Sequence, residues 1–107
     1  IPAESTNTTI GVIATNVPFT KAHLKKIAQM GHDGMARTIN PVHTPWDGDT
    51  LFAMSTGKSQ TQVDVGRIGS LAAEVVSQAI LRAVTRAQSI PGFPEFPSLN
   101  ELGRHAD

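Results

Sequence analysis

Residues 7–15 read NTTIGVIAT, and the later part of this stretch, Ile10–Thr15, is a nearly unbroken run of apolar and β-branched residues. Such a run is typical of a strand that is buried on both faces. Pro18 follows shortly afterwards and ends the run. The stretch therefore predicts an interior strand that begins directly after two threonines.

Three further segments follow this strand. Thr20 is a suitable N-cap for a helix over Lys21–Thr38, whose apolar residues recur at helical spacing. After a loop with two prolines and a glycine, a second strand is predicted over residues 50–56, and Asp64 caps a second helix that runs to about residue 88. Small residues that permit close packing crowd the first half of this helix: Gly66, Gly69, Ala72 and Ala73. The order strand-helix-strand-helix predicts a layered α/β or α+β domain.

Composition limits the classes of partner. The 107 residues include nine Lys+Arg and nine Asp+Glu, so the formal net charge is zero and a nucleic acid or an anionic membrane is not expected as partner. There is no cysteine, and no apolar run approaches the roughly 20 residues of a membrane span. The N-terminus lacks the features of a signal peptide, so we expect a cytoplasmic protein. It also lacks an initiator Met, which suggests a processed chain or a piece of a longer one.

The threonines before the first strand are candidates for nucleophilic chemistry. A threonine hydroxyl is a poor nucleophile until a base removes its proton, and one recurring solution uses the threonine's own free α-amino group. That solution requires the preceding peptide bond to be cut. The alternative is that Asn7-Thr8-Thr9 is an ordinary strand start, where β-branched threonines are common.

Asp47-Gly48-Asp49 is the second candidate. Two carboxylates on a loop that enters a strand can converge on one point, and close carboxylates separate each other's pKa values. The alternative is a plain turn, because Pro-Trp-Asp-Gly is ordinary turn chemistry.

The histidines carry a weaker signal. None of His23, His32, His43 and His105 shows a zinc-binding spacing, although His43 could bind a metal together with Asp47 and Asp49. A Ser-His-Asp triad could use Ser5, Ser55 or Ser59, but no nucleophile-elbow motif surrounds these serines. His32 is interpreted as a packing residue of the helix, and residues 57–59, GKS, lack the upstream glycine of a phosphate-binding loop.

These signals occur together in one known pattern. NTTIGVIAT, HDGMAR (residues 32–37) and INPVHTPWDGDTLFAMSTG (residues 39–57) resemble, in this order, the C-terminal β subunit of the L-aminopeptidase/D-amidase-esterase family. These proteins are self-processing amidohydrolases with an N-terminal nucleophile, and they include the nylon-oligomer endohydrolases. The resemblance covers about residues 5–88, and residues 4–8, ESTNT, look closest to the nylon-oligomer hydrolases.

The resemblance implies a precursor that cleaves itself between Asn7 and Thr8. Residues 1–7 would then be a pre-cleavage segment that ends the α part, residues 8–89 the catalytic β-subunit domain, and residues 90–107 a proline-rich tail. An α subunit from the same precursor would complete a four-layered αββα sandwich, and four αβ heterodimers would assemble as a tetramer. No metal or organic cofactor is implied.

The resemblance also assigns roles to residues. Thr8 would be the nucleophile and, once its amine is free, the base. Asp47 and Asp49 match an aspartate pair that lies beside the nucleophile in the nylon-hydrolase branch, where they would orient the reacting groups; in peptidase members a Ser and a Glu can take these places. The oxyanion donors of the family come from the α segment, and we identify no candidate in this chain.

The expected function is that of a threonine amidohydrolase acting on linear amides such as 6-aminohexanoate oligomers. Three alternatives remain open at this point: an aminopeptidase that releases N-terminal residues of peptides, an acyltransferase like the related ornithine acetyltransferases, and a non-enzymatic binding or assembly module. In the last case the Asn-Thr and Asp-Gly-Asp motifs would be only strand and turn residues.

Overall fold

The computed structural model describes residues 7–93, which form two strands and two helices in the expected alternation. In chain order these are β1 (Ile10–Thr15), α1 (Lys21–Thr38), β2 (Thr50–Ser55) and α2 (Val65–Arg86). The mixed α/β class is therefore confirmed. Most of the pre-cleavage segment and of the tail, with Ser5 and His105, lies outside the described residues.

The two strands form a parallel sheet, in a register that runs from Ile10 opposite Thr50 to Thr15 opposite Ser55. Parallel neighbours need a crossover connection, which α1 provides. Because both strands start at the same edge of the sheet, the residues that precede β1 and β2 also lie side by side. This register positions the site described below.

The helix α1 has the bounds and the cap that its sequence predicts. The hydroxyl oxygen of Thr20 accepts the backbone N–H of His23 at 3.2 Å. Four residues of the helix are buried: Ile27, Gly31, Gly34 and Met35. A Cβ added to Gly31 would meet side chains of both strands, Ile13 and Leu51, so α1 packs closely on the sheet at this point.

The two helices pack through small residues. A Cβ on Gly34 of α1 would overlap the carbonyl oxygen of Ala73 in α2, and one on Gly69 would overlap the side chain of Met30. Asp64 caps α2 by accepting the N–H of Gly66 at 2.8 Å. The close packing predicted for the first half of α2 is confirmed, while the helix ends two residues before its predicted end.

The opposite face of the sheet is open, which differs from the predicted burial of β1 on both faces. Along each strand exposed and half-buried residues alternate. Val12 and Phe52 on the open face are 63% and 58% exposed. The reason is that α1 packs on the other face and nothing within residues 7–93 covers this one. The described residues thus form two layers, a sheet and a pair of helices.

Two further features differ from expectation. By length and composition α2 could cross a membrane, with a mean hydropathy of 1.2, and helices that pack inside folded proteins meet the same criteria. Residues 90–93, predicted to start an extended tail, form a turn in which Ile90 and Phe93 exchange backbone hydrogen bonds of 3.1 and 2.8 Å. Gly92 permits this turn because its φ is +84°.

Candidate active site

The parallel register extends beyond the strands and places residues 7–9 beside residues 47–49. Asn7 donates its N–H to the carbonyl of Trp46 at 3.1 Å, and its own carbonyl accepts the N–H of Gly48 at 2.8 Å. The N–H of Thr50 then bonds to the carbonyl of Thr9 at 2.9 Å. The two motifs identified separately in the sequence therefore lie against each other.

Thr8 lies between these backbone contacts, with its side chain next to Gly48. A Cβ on Gly48 would be 3.2 Å from the Oγ1 of Thr8, a closer approach than side-chain carbons normally make. Thr8 is exposed, and its hydroxyl makes no hydrogen bond within residues 7–93. The hydroxyl is thus at the surface, beside the acidic loop, and not in packed hydrocarbon.

Asp49 is the carboxylate that bonds directly to the threonine segment. Its side chain is only 6% exposed. One oxygen, Oδ1, accepts the N–H of Thr9 at 3.2 Å. The other, Oδ2, accepts both the backbone N–H of His43 at 3.3 Å and the ring nitrogen Nδ1 of His43 at 2.9 Å. Asp49 therefore connects the residue after Thr8 to the loop before β2.

Asp47 has a different set of contacts. Its Oδ2 accepts the backbone N–H and the hydroxyl of Thr44, at 3.0 and 2.8 Å, and its own N–H bonds to the carbonyl of Thr44. This is the turn that the sequence offered as the alternative interpretation. Asp47 also forms the backbone bridge to Asn7, so the same residue holds the loop and aligns it with the segment before β1.

The other sequence candidates are not brought together as a site. Ser55 donates its hydroxyl to the carbonyl of Val17 at the far end of β2, and the hydroxyl of Ser59 accepts the N–H of Thr61. No group of three or more metal-binding side chains forms among the described residues. His43 meets Asp49 but not as part of such a group.

Sequence reasoning missed two contacts. The first is the hydrogen bond from the Gly48 N–H to the Asn7 carbonyl, which no pattern indicates because it depends on the register between two strands that lie 40 residues apart in the chain. The second joins His32 to His43, with 3.3 Å between Nδ1 of the former and Nε2 of the latter. The sequence predicts a packing role for His32, and only the loop conformation brings His43 to it.

Thr8 has an exposed hydroxyl just before β1, and the largely covered Asp49 carboxylate bonds to the N–H of the next residue. This arrangement is suited to hydrolytic chemistry. The chain matches peptidase family S58 over residues 2–96 and belongs to that family. This confirms the family resemblance drawn from the sequence, and the family is one of peptidases.

Individual relatives agree with the family. The chain is 40% identical over 103 residues to an uncharacterized aminopeptidase of Mycobacterium tuberculosis (strain ATCC 25618 / H37Rv), which covers 84% of this chain and 30% of the relative. It is 37% identical to the 6-aminohexanoate-oligomer endohydrolase of Paenarthrobacter ureafaciens, over 75% of this chain and 26% of that protein. The corresponding enzyme of Kocuria sp. (strain KY2) is 38% identical, over 72% and 25%. The chain thus spans less than a third of the length of these relatives.

Proposed function

We propose that this chain is the β part of an amidohydrolase that cleaves itself between Asn7 and Thr8 and then hydrolyses linear amides through Thr8. The observation that carries the proposal is the pairing of residues 7–9 with residues 47–49. It combines a free hydroxyl, a carbonyl that accepts a hydrogen bond, and a buried carboxylate within one short length of paired backbone.

The first reaction is self-cleavage. The Gly48 N–H already donates to the carbonyl oxygen of Asn7, which is where negative charge develops when Thr8 Oγ1 attacks the carbonyl carbon. A bond forms between Oγ1 and this carbon, the bond from the carbon to the Thr8 nitrogen breaks, and the hydroxyl proton passes to the nitrogen. Water then opens the ester, which leaves a carboxylate on Asn7 and a free amine on Thr8.

The second reaction uses the same groups on a substrate. The α-amine of Thr8, with an unperturbed pKa of about 7.7–8.0, is partly neutral near pH 7 and takes the hydroxyl proton. Asp49 accepts a hydrogen bond from the N–H of Thr9, the residue after Thr8. From this position its carboxylate orients the amine and the hydroxyl of Thr8. Oγ1 bonds to the substrate carbonyl carbon, the amide C–N bond breaks, and the amine leaves with the proton that the α-amine took from the hydroxyl. Water then hydrolyses the acyl-Thr8 ester, which releases the acid and restores the hydroxyl. This ester is the same linkage as in self-cleavage, so the Gly48 N–H serves both reactions.

For the substrate, we propose linear amides of the 6-aminohexanoate-oligomer type. Two of the relatives described above carry that activity in their names. The resemblance noted in the sequence also matches Asp47 and Asp49 to the aspartate pair of the nylon-hydrolase branch. An aminopeptidase is the second candidate, since a relative with 40% identity is named as one. The products distinguish the two candidates. Hydrolysis of an internal amide bond in an oligomer indicates the first, and release of an N-terminal residue from a peptide indicates the second.

For the partner, we propose an α segment from the same precursor that covers the open face of the sheet. Parallel sheets are normally buried on both faces, whereas Val12 and Phe52 are largely exposed here. The relatives are more than three times as long as the matched segment, which leaves ample chain for a second sheet and its helices. This arrangement would complete a four-layered αββα sandwich, and such αβ units would form a tetramer.

The test is the mass spectrum of the full-length precursor with Thr8, Thr8→Ser or Thr8→Ala. The wild type and Thr8→Ser, which keeps a hydroxyl, are expected to yield a fragment that begins at residue 8. Thr8→Ala has no nucleophile, so it is expected to remain uncut and to hydrolyse neither substrate above background. A Thr8→Ala protein that is still cut at this bond, or still hydrolyses amides, would show that Thr8 is not the nucleophile.

A further inference from the structure

We propose that His43, held in turn by His32, is the positioning residue that fixes the Asp49 carboxylate beside Thr8. This inference rests on the proposed function and extends it to two side chains that carry no role in it. Three observations support it: the contacts of Asp49, the backbone of His43, and the contact between the two histidine rings.

Among residues 7–93, His43 supplies two of the three hydrogen bonds that the Asp49 side chain receives. Both its backbone N–H and its ring nitrogen Nδ1 donate to Oδ2 of Asp49, at 3.3 and 2.9 Å. Oδ1 is thereby left for the N–H of Thr9. Because the Asp49 side chain is only 6% exposed, water replaces a lost donor poorly, and the orientation of the carboxylate depends on His43.

The backbone of His43 is in an unusual conformation that makes this double contact possible. Its φ is +56°, in the left-handed region that residues with a Cβ adopt infrequently and at a cost of order 1–3 kcal/mol. Strain of this kind persists where surrounding contacts compensate for it. Here the compensating contacts are those with Asp49.

His32 fixes the ring of His43 from the other side. Nε2 of His43 lies 3.3 Å from Nδ1 of His32, and the ring centroids are 4.8 Å apart. Since Nδ1 of His43 faces a carboxylate, it carries the proton, and in the neutral ring Nε2 is then an acceptor for His32. His32 stands on α1 directly after buried Gly31, so the line from Thr9 through Asp49 and His43 ends on a packed helix.

The test compares substitutions of His43 in the full-length protein that differ in one property. Asparagine tolerates a positive φ, and its amide nitrogen stands in the same position along the side chain as Nδ1, so His43→Asn keeps the donor to Asp49. Glycine tolerates the same φ but offers no side-chain donor. His23→Asn, at an exposed position of α1 that lies outside this line of contacts, is the matched control.

Kinetics are measured on a 6-aminohexanoate oligomer and on an N-terminally free peptide. In His43→Gly we expect kcat to fall by on the order of 10–100-fold, as is typical when a residue that orients an active group is removed, with KM changed less than about twofold. His43→Asn is expected to recover most of the kcat. His32→Ala is expected to lower kcat by a smaller factor, and His23→Asn to leave it unchanged.

The outcomes separate this inference from the function on which it rests. A wild-type protein that hydrolyses neither substrate overturns the proposed function, and this inference falls with it. An active wild type whose His43→Gly variant keeps its kcat overturns this inference alone. The same holds if His43→Asn and His43→Gly lose kcat equally, or if both raise KM without lowering kcat.

Discussion

At the scale of single residues, Gly48 contributes to the candidate site in two ways: it has no Cβ, and its backbone N–H donates a hydrogen bond. Without a Cβ it lets the Thr8 hydroxyl come close, and its N–H bonds to the carbonyl of Asn7. Thr8, Asp47 and Asp49 are candidates from the sequence because each carries a functional group, and their roles, implied by the family resemblance, stay a prediction. For Gly48 the sequence indicates only a preference for turns, because a hydrogen bond donated by a backbone N–H has no sequence signature.

Gly48→Ala is expected to slow self-cleavage by on the order of 10–100-fold, because the new Cβ would lie 3.2 Å from Thr8 Oγ1 and displace a group whose attack depends on its position. The fraction of cut precursor, followed over time by gel electrophoresis, measures this effect. Gln62→Ala, an exposed loop substitution, serves as control and should cut at the wild-type rate. Equal rates for Gly48→Ala and wild type would contradict the role given to Gly48.

At the scale of elements, local sequence signals predict the two helices and the two strands in the correct order. The caps Thr20 and Asp64 were predictable because a side-chain oxygen before an amphipathic run satisfies free N–H groups in the first turn. The end of α2 was less predictable, since no glycine marks it and the chain leaves the helix at Ala87 in extended conformation. The contact between His32 and His43 was not predictable, because it depends on the positive φ of His43 in an irregular loop.

The interface between α1 and α2 is expected to tolerate added volume unequally. At Gly34 a Cβ would overlap the carbonyl oxygen of Ala73, which is backbone and cannot move aside, whereas at Gly69 it would meet only the flexible side chain of Met30. Gly34→Ala should therefore lower the free energy of unfolding by about 1–3 kcal/mol, as overpacking does.

Urea unfolding of the full-length protein, followed by circular dichroism, tests this difference. Gly69→Ala is the matched control, because it makes the same change at the same interface and gains helix propensity of up to about 1 kcal/mol. It is expected to cost less than Gly34→Ala. Equal losses of unfolding free energy at both positions would contradict this difference. They would mean that the two helices move apart at Gly34 as easily as the Met30 side chain moves at Gly69.

At the scale of the whole molecule, the main feature is the open face of the sheet, which residues 7–93 leave uncovered. The sequence predicted full burial of β1 from its unbroken apolar run, and the structure buries only the face towards α1. The prediction was wrong for a physical reason: an apolar run shows that both faces of a strand are apolar but not what covers them, and residues 7–93 supply only one covering layer. The four-layered arrangement stays a prediction.

Phe52→Glu is expected to prevent this assembly, because burying an unpaired carboxylate against a second sheet is unfavourable by several kcal/mol. In the chain alone Phe52 is 58% exposed, so the substitution should leave its own helices and strands intact. Size-exclusion chromatography of the cut full-length protein should show separated parts for Phe52→Glu and a joint peak for the loop control Gln60→Glu. Co-elution of the two parts in Phe52→Glu would show that the α part does not pack on this face of the sheet.

The hydrogen bonds of Asn7 to Trp46 and Gly48 have a consequence for the timing of maturation. The Asn7 carbonyl belongs to the bond that the proposed self-cleavage would break, but its oxygen would remain on Asn7 as part of the new carboxylate, so both bonds would persist after the cut. If the proposed self-cleavage takes place, the new carboxyl terminus would remain where the acyl group of a substrate has to bind. We therefore expect a lag between the cut at Asn7–Thr8 and the first hydrolysis of a substrate, because the Asn7 carboxylate has to leave its hydrogen bonds first.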